Sequence, residues 1–371
     1  MNKLVKKFQF IYLFYLVANI SLIATLVYEI LTPTTIAREI YLEEIAQGSQ
    51  PPIMVKDIQG FKGVIKALTM TPDGKILLVG SGDATLNAVD LELEQVVYSK
   101  THKINDYSSI VVTSQPTFLD ETTSNETTSD ETTSDETPLT GPMLALADDE
   151  NIRVLSLVDG SKVNLLKGHS GKISDLALSP DDKILVSVSA SDRTIRIWDF
   201  ATGNLIETLG VDIGPTNNIA FTPDGMTFVT GAIGDDRTLK FWDLPTLELI
   251  RSSPQQPGYI NDLKITPDGK KLVAAVRNYI KVWDLTTGKE LLNIKGPRLD
   301  INAIAISPDS RVVATANKEG NIMLFDLTKG RKLTTLEGHK GWVLSLVFSP
   351  DGRYLYSGAE DKIIKIWQLR A

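Results

Sequence analysis

Histidine, serine and aspartate occur together twice in this chain, as His169, Ser187 and Asp192 and again, at nearly the same spacing, as His339, Ser357 and Asp361. These are the residue types of a hydrolase triad, in which an imidazole takes the serine proton and a carboxylate orients the imidazole. The repetition argues for structure instead, since the set recurs with a repeat and no G-x-S-x-G elbow exposes either serine. The chain has three histidines, the third being His102, and each falls in a different copy of the repeat, so they cannot converge on a metal. With no cysteine there are no disulfides, thiolate zinc sites, iron-sulfur ligands or cysteine nucleophiles. The segment GHSGKIS (168 to 174) lacks the four residues a phosphate loop places between glycine and Gly-Lys, and Ile173 stands where a magnesium ligand should be. The Pro-Asp-Gly aspartates suggest calcium, but a proline-led turn explains them and no EF-hand set of carboxylates is present. Asp235-Asp236-Arg237 reads as a solvated turn. We expect no catalytic residues, no cofactor and no metal.

Charge narrows the partners. The net charge is −8, yet seven carboxylates lie between Asp120 and Glu136 with no base among them, so the rest of the chain is near neutral. Nucleic acid is not an expected partner. Apolar residues at 42% and charged residues at 23% describe a globular chain with a sizeable core.

The elements that must position these residues repeat. A turn of the form S/T-P-D-G/x recurs at Pro72, Pro180, Pro223, Pro267, Pro308 and Pro350, the last five spaced 43, 44, 41 and 42 residues apart. Proline presets φ, aspartate bonds back to the backbone and glycine accepts a positive φ. Sixteen to nineteen residues after each of these five prolines comes an alternating apolar run with an anchor at Trp198, Trp242, Trp283, Phe325 or Trp367; Val89 and Leu155 are degenerate equivalents, making seven copies. Between anchors the sequence alternates with period two and breaks at small polar turns, which predicts four short antiparallel strands per copy. One such sheet cannot bury both faces, whereas a ring of them can. The fold class is therefore all-β: a seven-bladed β-propeller of four-stranded antiparallel blades over residues 52 to 371. The chain stops after a third strand, and residues 51 to 63 resemble the segment 332 to 341, so residues 53 to 59 should complete the last blade.

Residues 53 to 371 resemble the WD-repeat propellers, on Gly168-His169, Gly338-His339, the SPDG-type turns, and Trp-Asp at 198/199, 242/243 and 283/284. The resemblance implies a hydrogen-bonded chain of Trp, Ser or Thr, His and Asp inside a blade. Residue by residue it maps onto His169, Ser187, Asp192 and Trp198, and onto His339, Ser357, Asp361 and Trp367. The fourth copy keeps Thr230, Asp236 and Trp242 but has Asp212 for His. The fifth has Arg277 at the Asp position, and the sixth has Glu319 with Phe325.

Ahead of the repeats, Phe8 to Tyr28 is twenty-one residues without a charge. At about 1.5 Å per residue it spans a bilayer core, which predicts an N-terminal transmembrane helix. Lys3, Lys6 and Lys7 precede it, so residues 1 to 7 form a short cytoplasmic tail and the propeller lies on the non-cytoplasmic side. A cleaved signal peptide would leave the chain secreted or periplasmic. Residues 29 to 51 read as a juxtamembrane helix and linker. The pentapeptide tract within about 115 to 141 reads as a disordered acidic insertion.

One ring of positions is left without a structural demand. Eight residues before each turn proline stand Val64, Lys172, Pro215, Tyr259, Asp300 and Trp342, where the chain enters the innermost strands at the channel mouth. Lys172, Pro215, Tyr259, Asp300 and Trp342 form a candidate face for a protein or peptide partner, because Tyr and Trp are enriched in binding hot spots. The expected function is a membrane-anchored, non-catalytic interaction scaffold. Two other readings are an enzyme or enzyme subunit at the mouth, which needs a carboxylate pair with raised pKa and finds only Asp300, and a ligand-sensing or envelope-assembly propeller.

Overall fold

Six of the seven copies begin with the turn the sequence predicts, and its chemistry is the same in each. In blade one the Thr71 hydroxyl bonds Asp73, Asp73 accepts the Lys75 N–H at 3.1 Å, and the Gly74 N–H donates to the Thr71 carbonyl at 2.8 Å. Equivalent networks hold Ser179-Asp181, Thr222-Asp224, Thr266-Asp268, Ser307-Asp309 and Ser349-Asp351. Each turn reverses an innermost strand into the second strand of its blade. The computed structural model describes residues 52–101, 109–114, 142–210 and 216–369. The expectations for residues 1 to 51, His102, the acidic tract, Asp212 and Pro215 fall outside these residues.

From Pro52 onward the chain forms seven four-stranded antiparallel sheets, the blades, in which strand order follows the sequence in six cases. Blade one, for example, runs Ile65–Met70, Ile76–Ser81, Thr85–Asp90 and Gln95–Thr101 from the centre outward. The seventh blade differs. Its inner three strands are Val343–Phe348, Tyr354–Ala359 and Ile364–Gln368, and its outermost strand is Ile53–Ile58, paired from Ile53 opposite Gln368 to Ile58 opposite Ile364. The ring is thus closed by the two ends of the propeller sequence within one sheet.

Burial sits between neighbouring blades. Trp242 of blade four packs with Val186, Ile195 and Ile197 of blade three and stacks on Phe228, 6.1 Å between rings. Phe325 of blade six packs against Val273, Ile280 and Val282 of blade five. These anchors are why the period ends in an aromatic: each fills the wedge between two sheets, where burying a large side chain contributes about 1.5–3 kcal/mol. The innermost strands carry a register shift near their start in blades one, four, five, six and seven. This bulge turns two adjacent residues toward the channel.

Candidate partner-binding face and the channel behind it

The ring has two different ends. At the turn end lie the Pro-Asp-Gly hairpins; at the mouth end the chain drops from an outer strand into the next innermost strand. Four mouth residues are held by their backbones. The carbonyls of Val64, Tyr259 and Trp342 accept the N–H groups of Gly82, Arg277 and Glu360 at 2.8, 3.2 and 3.0 Å, and the Lys172 carbonyl accepts the Ser189 hydroxyl at 2.8 Å. Each of these backbones is thereby tied to the hairpin of its own blade. Tyr259 is 55% exposed and Trp342 is 42% exposed. Lys172 is exposed, while Val64 and Asp300 are half-buried. One face of the Trp342 indole carries the Lys318 ammonium, 4.5 Å from the ring centre, a cation–π contact between blades six and seven.

Inside the blades the two triad-like sets are built into hydrogen-bonded chains. In blade three the Trp198 indole N–H donates to Ser187 Oγ at 2.9 Å, the Ser187 hydroxyl meets His169 Nε2 at 2.7 Å, and His169 Nδ1 meets Asp192 at 2.8 Å. Blade seven repeats this with Trp367, Ser357, His339 and Asp361 at 2.8, 2.7 and 2.9 Å. Serine accepts from the indole, so its own proton goes to Nε2 and Nδ1–H points to the carboxylate. Burial holds both imidazoles below the ordinary histidine range, against the pull of Asp192 and Asp361. Each serine side chain is wholly buried, so neither can reach a substrate.

The degenerate copies find other partners. In blade four Trp242 still donates to Thr230, at 3.0 Å, but Asp236 is bonded by Lys240 and Thr238. That corrects the reading of 235 to 237 as a solvated turn: Asp235 is exposed, Asp236 turns inward. Lys281 of blade five lies against Trp283 and reaches Glu290 at 2.9 Å. Lys365 of blade seven reaches Asp57 at 2.8 Å on the closing strand. Lys281 and Lys365 are buried bases, two residues before the tryptophan, and carry a periodic signal distinct from any catalytic residue type.

The channel holds a second set that sequence reasoning missed. Five residues before the turn proline, or at the equivalent site of blade two, stand Ser109, Asp175, Asp262 and Ser345, and each accepts a backbone N–H from the next blade. The donors are Leu176 at 3.3 Å, Ile219 at 3.0 Å, Ile304 at 2.8 Å and Leu68 at 3.0 Å. Asn218 and Asn261 donate to carbonyls of the following blade, both at 3.0 Å. The signal was a polar residue recurring inside an apolar strand. Lys264 Nζ joins Asp262 at 3.0 Å and remains 45% exposed to the channel. Burial pushes the Asp175 carboxyl up to about 6, opposed by Lys264, Ser109 and the Ile219 N–H and aided by Asp262. Asp175 and Asp262 are therefore a carboxylate pair with one raised pKa, where the sequence pointed only to Asp300. Both are committed to backbone N–H groups, around a cavity of about 280 Å³. Among the described residues no group of three or more potential metal ligands is present.

Comparison with known proteins agrees with this architecture. The model of the WD domain, G-beta repeat, matches residues 160–199, 207–243, 288–326 and 330–368. An uncharacterized WD repeat-containing protein of Synechocystis is 51% identical over 276 residues, 74% of this chain and 72% of that protein. WD repeat-containing protein 36 of Homo sapiens is 40% identical over 84 residues, 22% of this chain and 9% of that protein. Apoptotic protease-activating factor 1 of Rattus norvegicus is 24% identical over 267 residues, covering 70% of this chain and 19% of that protein. With seven such blades, and a relative matched at this identity over most of both chains, the protein belongs to the WD-repeat family.

Proposed function

We propose that this protein is a membrane-anchored, non-catalytic interaction platform, held by residues 8 to 28, whose protein or peptide partner docks on the mouth end across blades five to seven. WD-repeat propellers are typically protein-interaction scaffolds, and one observation supports the sector. Among the described residues the large hydrophobics exposed at the mouth end are Tyr259, Tyr279, Leu299 and Trp342, all on blades five to seven. Exposed aromatics on backbones fixed by hydrogen bonds lose little entropy on binding. Arg298 and Lys340 are exposed beside them, which suits a partner with carboxylates flanking apolar residues. The enzyme reading is less well supported, because the channel carboxylates already hold the blades together. Among the described residues no helix is long and apolar enough to cross a membrane, and the stretch from 8 to 28 lies outside them.

Affinity capture from detergent-solubilised membranes tests the platform. Trp342→Ala should weaken the captured complex by about 2 kcal/mol while moving thermal stability by less than about 0.5 kcal/mol. Equal capture by the variant would exclude this sector. Protease treatment of intact spheroplasts tests the topology: the propeller should be digested from outside, and protection would reverse its orientation.

A further inference from the structure

Exposed apolar side chains are sorted between the two ends of the ring by type. The mouth end carries the four just named, three of them aromatic. At the turn-end rim every exposed large hydrophobic is aliphatic, and the densest run covers blades seven, one and two: Ile53, Met54 and Val55, then Leu93, Val96 and Val97, then Val158 and Val163. Strand direction fixes this placement. Ile53 pairs with Gln368 at the turn end of blade seven, and Leu93 lies in the turn between Thr85–Asp90 and Gln95–Thr101 of blade one. An ion pair of Lys56 with Glu94 joins these two blades, so their aliphatic residues form one surface. Leu93 is 64% exposed and Val158 68%. Further round, blade three adds Leu205 and Ile206, blade four Met226, Leu249 and Ile250, and blade five Leu291.

We infer that this rim is a lipid-contacting surface, by which the propeller rests turn end down on the bilayer. Three observations favour lipid over a protein. The surface surrounds Ile53, the point where the chain enters the propeller, and 51 residues precede Pro52, including the uncharged stretch long enough to cross a bilayer. Its residues are aliphatic, whereas protein hot spots favour Trp, Tyr and Arg, the types found at the opposite end. Lys56 and Glu94 neutralise each other within it, which lowers the cost of bringing that part of the surface to an uncharged interface. The inference rests on the anchoring proposed above. It adds that the mouth, with Tyr259 and Trp342, faces away from the membrane and stays open to a partner.

The absence of cysteine makes the test direct. The full chain carrying Ser21→Cys, Leu93→Cys, Val97→Cys or Glu319→Cys is labelled with an environment-sensitive fluorophore and reconstituted in phosphatidylcholine vesicles with and without lipid-borne quencher. Quenching of about half or more is expected at positions 21, 93 and 97, as for groups seated 5–10 Å into the interface, and almost none at Glu319. Adding Val96→Glu and Val97→Glu to the Leu93→Cys chain should abolish quenching at 93, while the same pair leaves position 21 quenched. If position 21 is quenched but 93 and 97 behave like 319, the anchor stands and the lipid-contacting rim is wrong. Shielding of 93 from aqueous iodide without lipid quenching would assign the rim to a protein, and also overturns it. If position 21 is unquenched, the anchoring itself fails.

Discussion

Ser357 receives the Trp367 indole and gives its own proton to His339, so it links the buried tryptophan to the aspartate at the mouth-end hairpin. Ser357→Ala would leave the indole N–H and Nε2 buried without partners. A loss of about 1–3 kcal/mol in unfolding free energy is expected, read as a lower denaturation midpoint with an unchanged mouth surface. Both imidazoles titrate below the ordinary range, which makes their contribution to stability complete above pH ~6.5 and lost as pH falls and the unfolded chain takes up protons. Asp175 runs the other way. Its folded pKa of about 6 lies above the ordinary aspartate value of 3.8, so the folded state binds the extra proton and stability declines as pH rises through that window. The groups facing it are Lys264, Asp262, Ser109 and the Ile219 N–H. Asp175→Asn keeps an acceptor for that N–H and removes the titration. The variant should therefore gain on wild type at about pH 7.5, by at most ~3 kcal/mol and less with channel water screening, and lose about half of that gain at about pH 5. The histidines cancel in the comparison, so melting curves of the two proteins at both pH values isolate Asp175, and an equal difference at both would refute the assignment.

Turns show how much an element tells before it is seen and how much it hides. The recurring Pro, Asp and Gly specify a hairpin from local chemistry alone, and the alternation around them specifies strands; both are properties of a few adjacent residues, so the seven blades were legible. What one turn does to its neighbour was not. Gly74, Gly225, Gly269 and Gly352 stand at positive φ with their missing Cβ positions facing Pro350, Pro180, Pro223 and Pro308 of the preceding blade. Blades three and six depart from glycine and use the change. Asp182, at φ 59°, accepts the Ser114 N–H at 2.8 Å, and Ser310, at φ 62°, accepts the Asp268 N–H at 3.0 Å. Gly74→Ala would place a Cβ 3.0 Å from the Pro350 ring in a conformation alanine resists, and should cost more than about 1 kcal/mol. Ser310→Gly would lose one hydrogen bond but relieve the backbone, and should change the midpoint little by comparison. The channel carboxylates were hidden for the same reason: Asp175 and Asp262 act on strands 44 and 42 residues away, a full period on and outside any local window.

Closure is a property of the whole ring. Six blades are made from contiguous chain, and only the seventh joins residues 311 positions apart, as in the contact of Lys365 with Met54. The closing strand holds Ile364–Gln368 along its length, with Lys365 bonded to Asp57 at 2.8 Å and almost wholly buried there. Without that strand the third strand of blade seven becomes a free edge, and Lys365 keeps a buried charge without its carboxylate. Next to that blade, Ile65, Leu68, Leu77 and Val79 of blade one pack with Tyr356 and Ile364 of blade seven, an interface connected in sequence only through the closing strand, which runs from Ile58 on into Ile65. A ring of nearest-neighbour sheets is as strong as its non-covalent junction, because opening there lets the sheets separate in sequence rather than together. Lys365→Met with Asp57→Leu should therefore be tolerated, since packing replaces the ion pair, whereas Asp57→Leu alone should destabilise by about 3–5 kcal/mol. Removal of residues 1 to 58 should do more, turning one cooperative transition into a broad one that begins at blades seven and one. Hydrogen exchange would locate it: fast exchange confined to Tyr354–Ala359, Ile364–Gln368 and Ile65–Met70 is the expected pattern, and uniform loss across all blades would show that closure does not govern the order of opening.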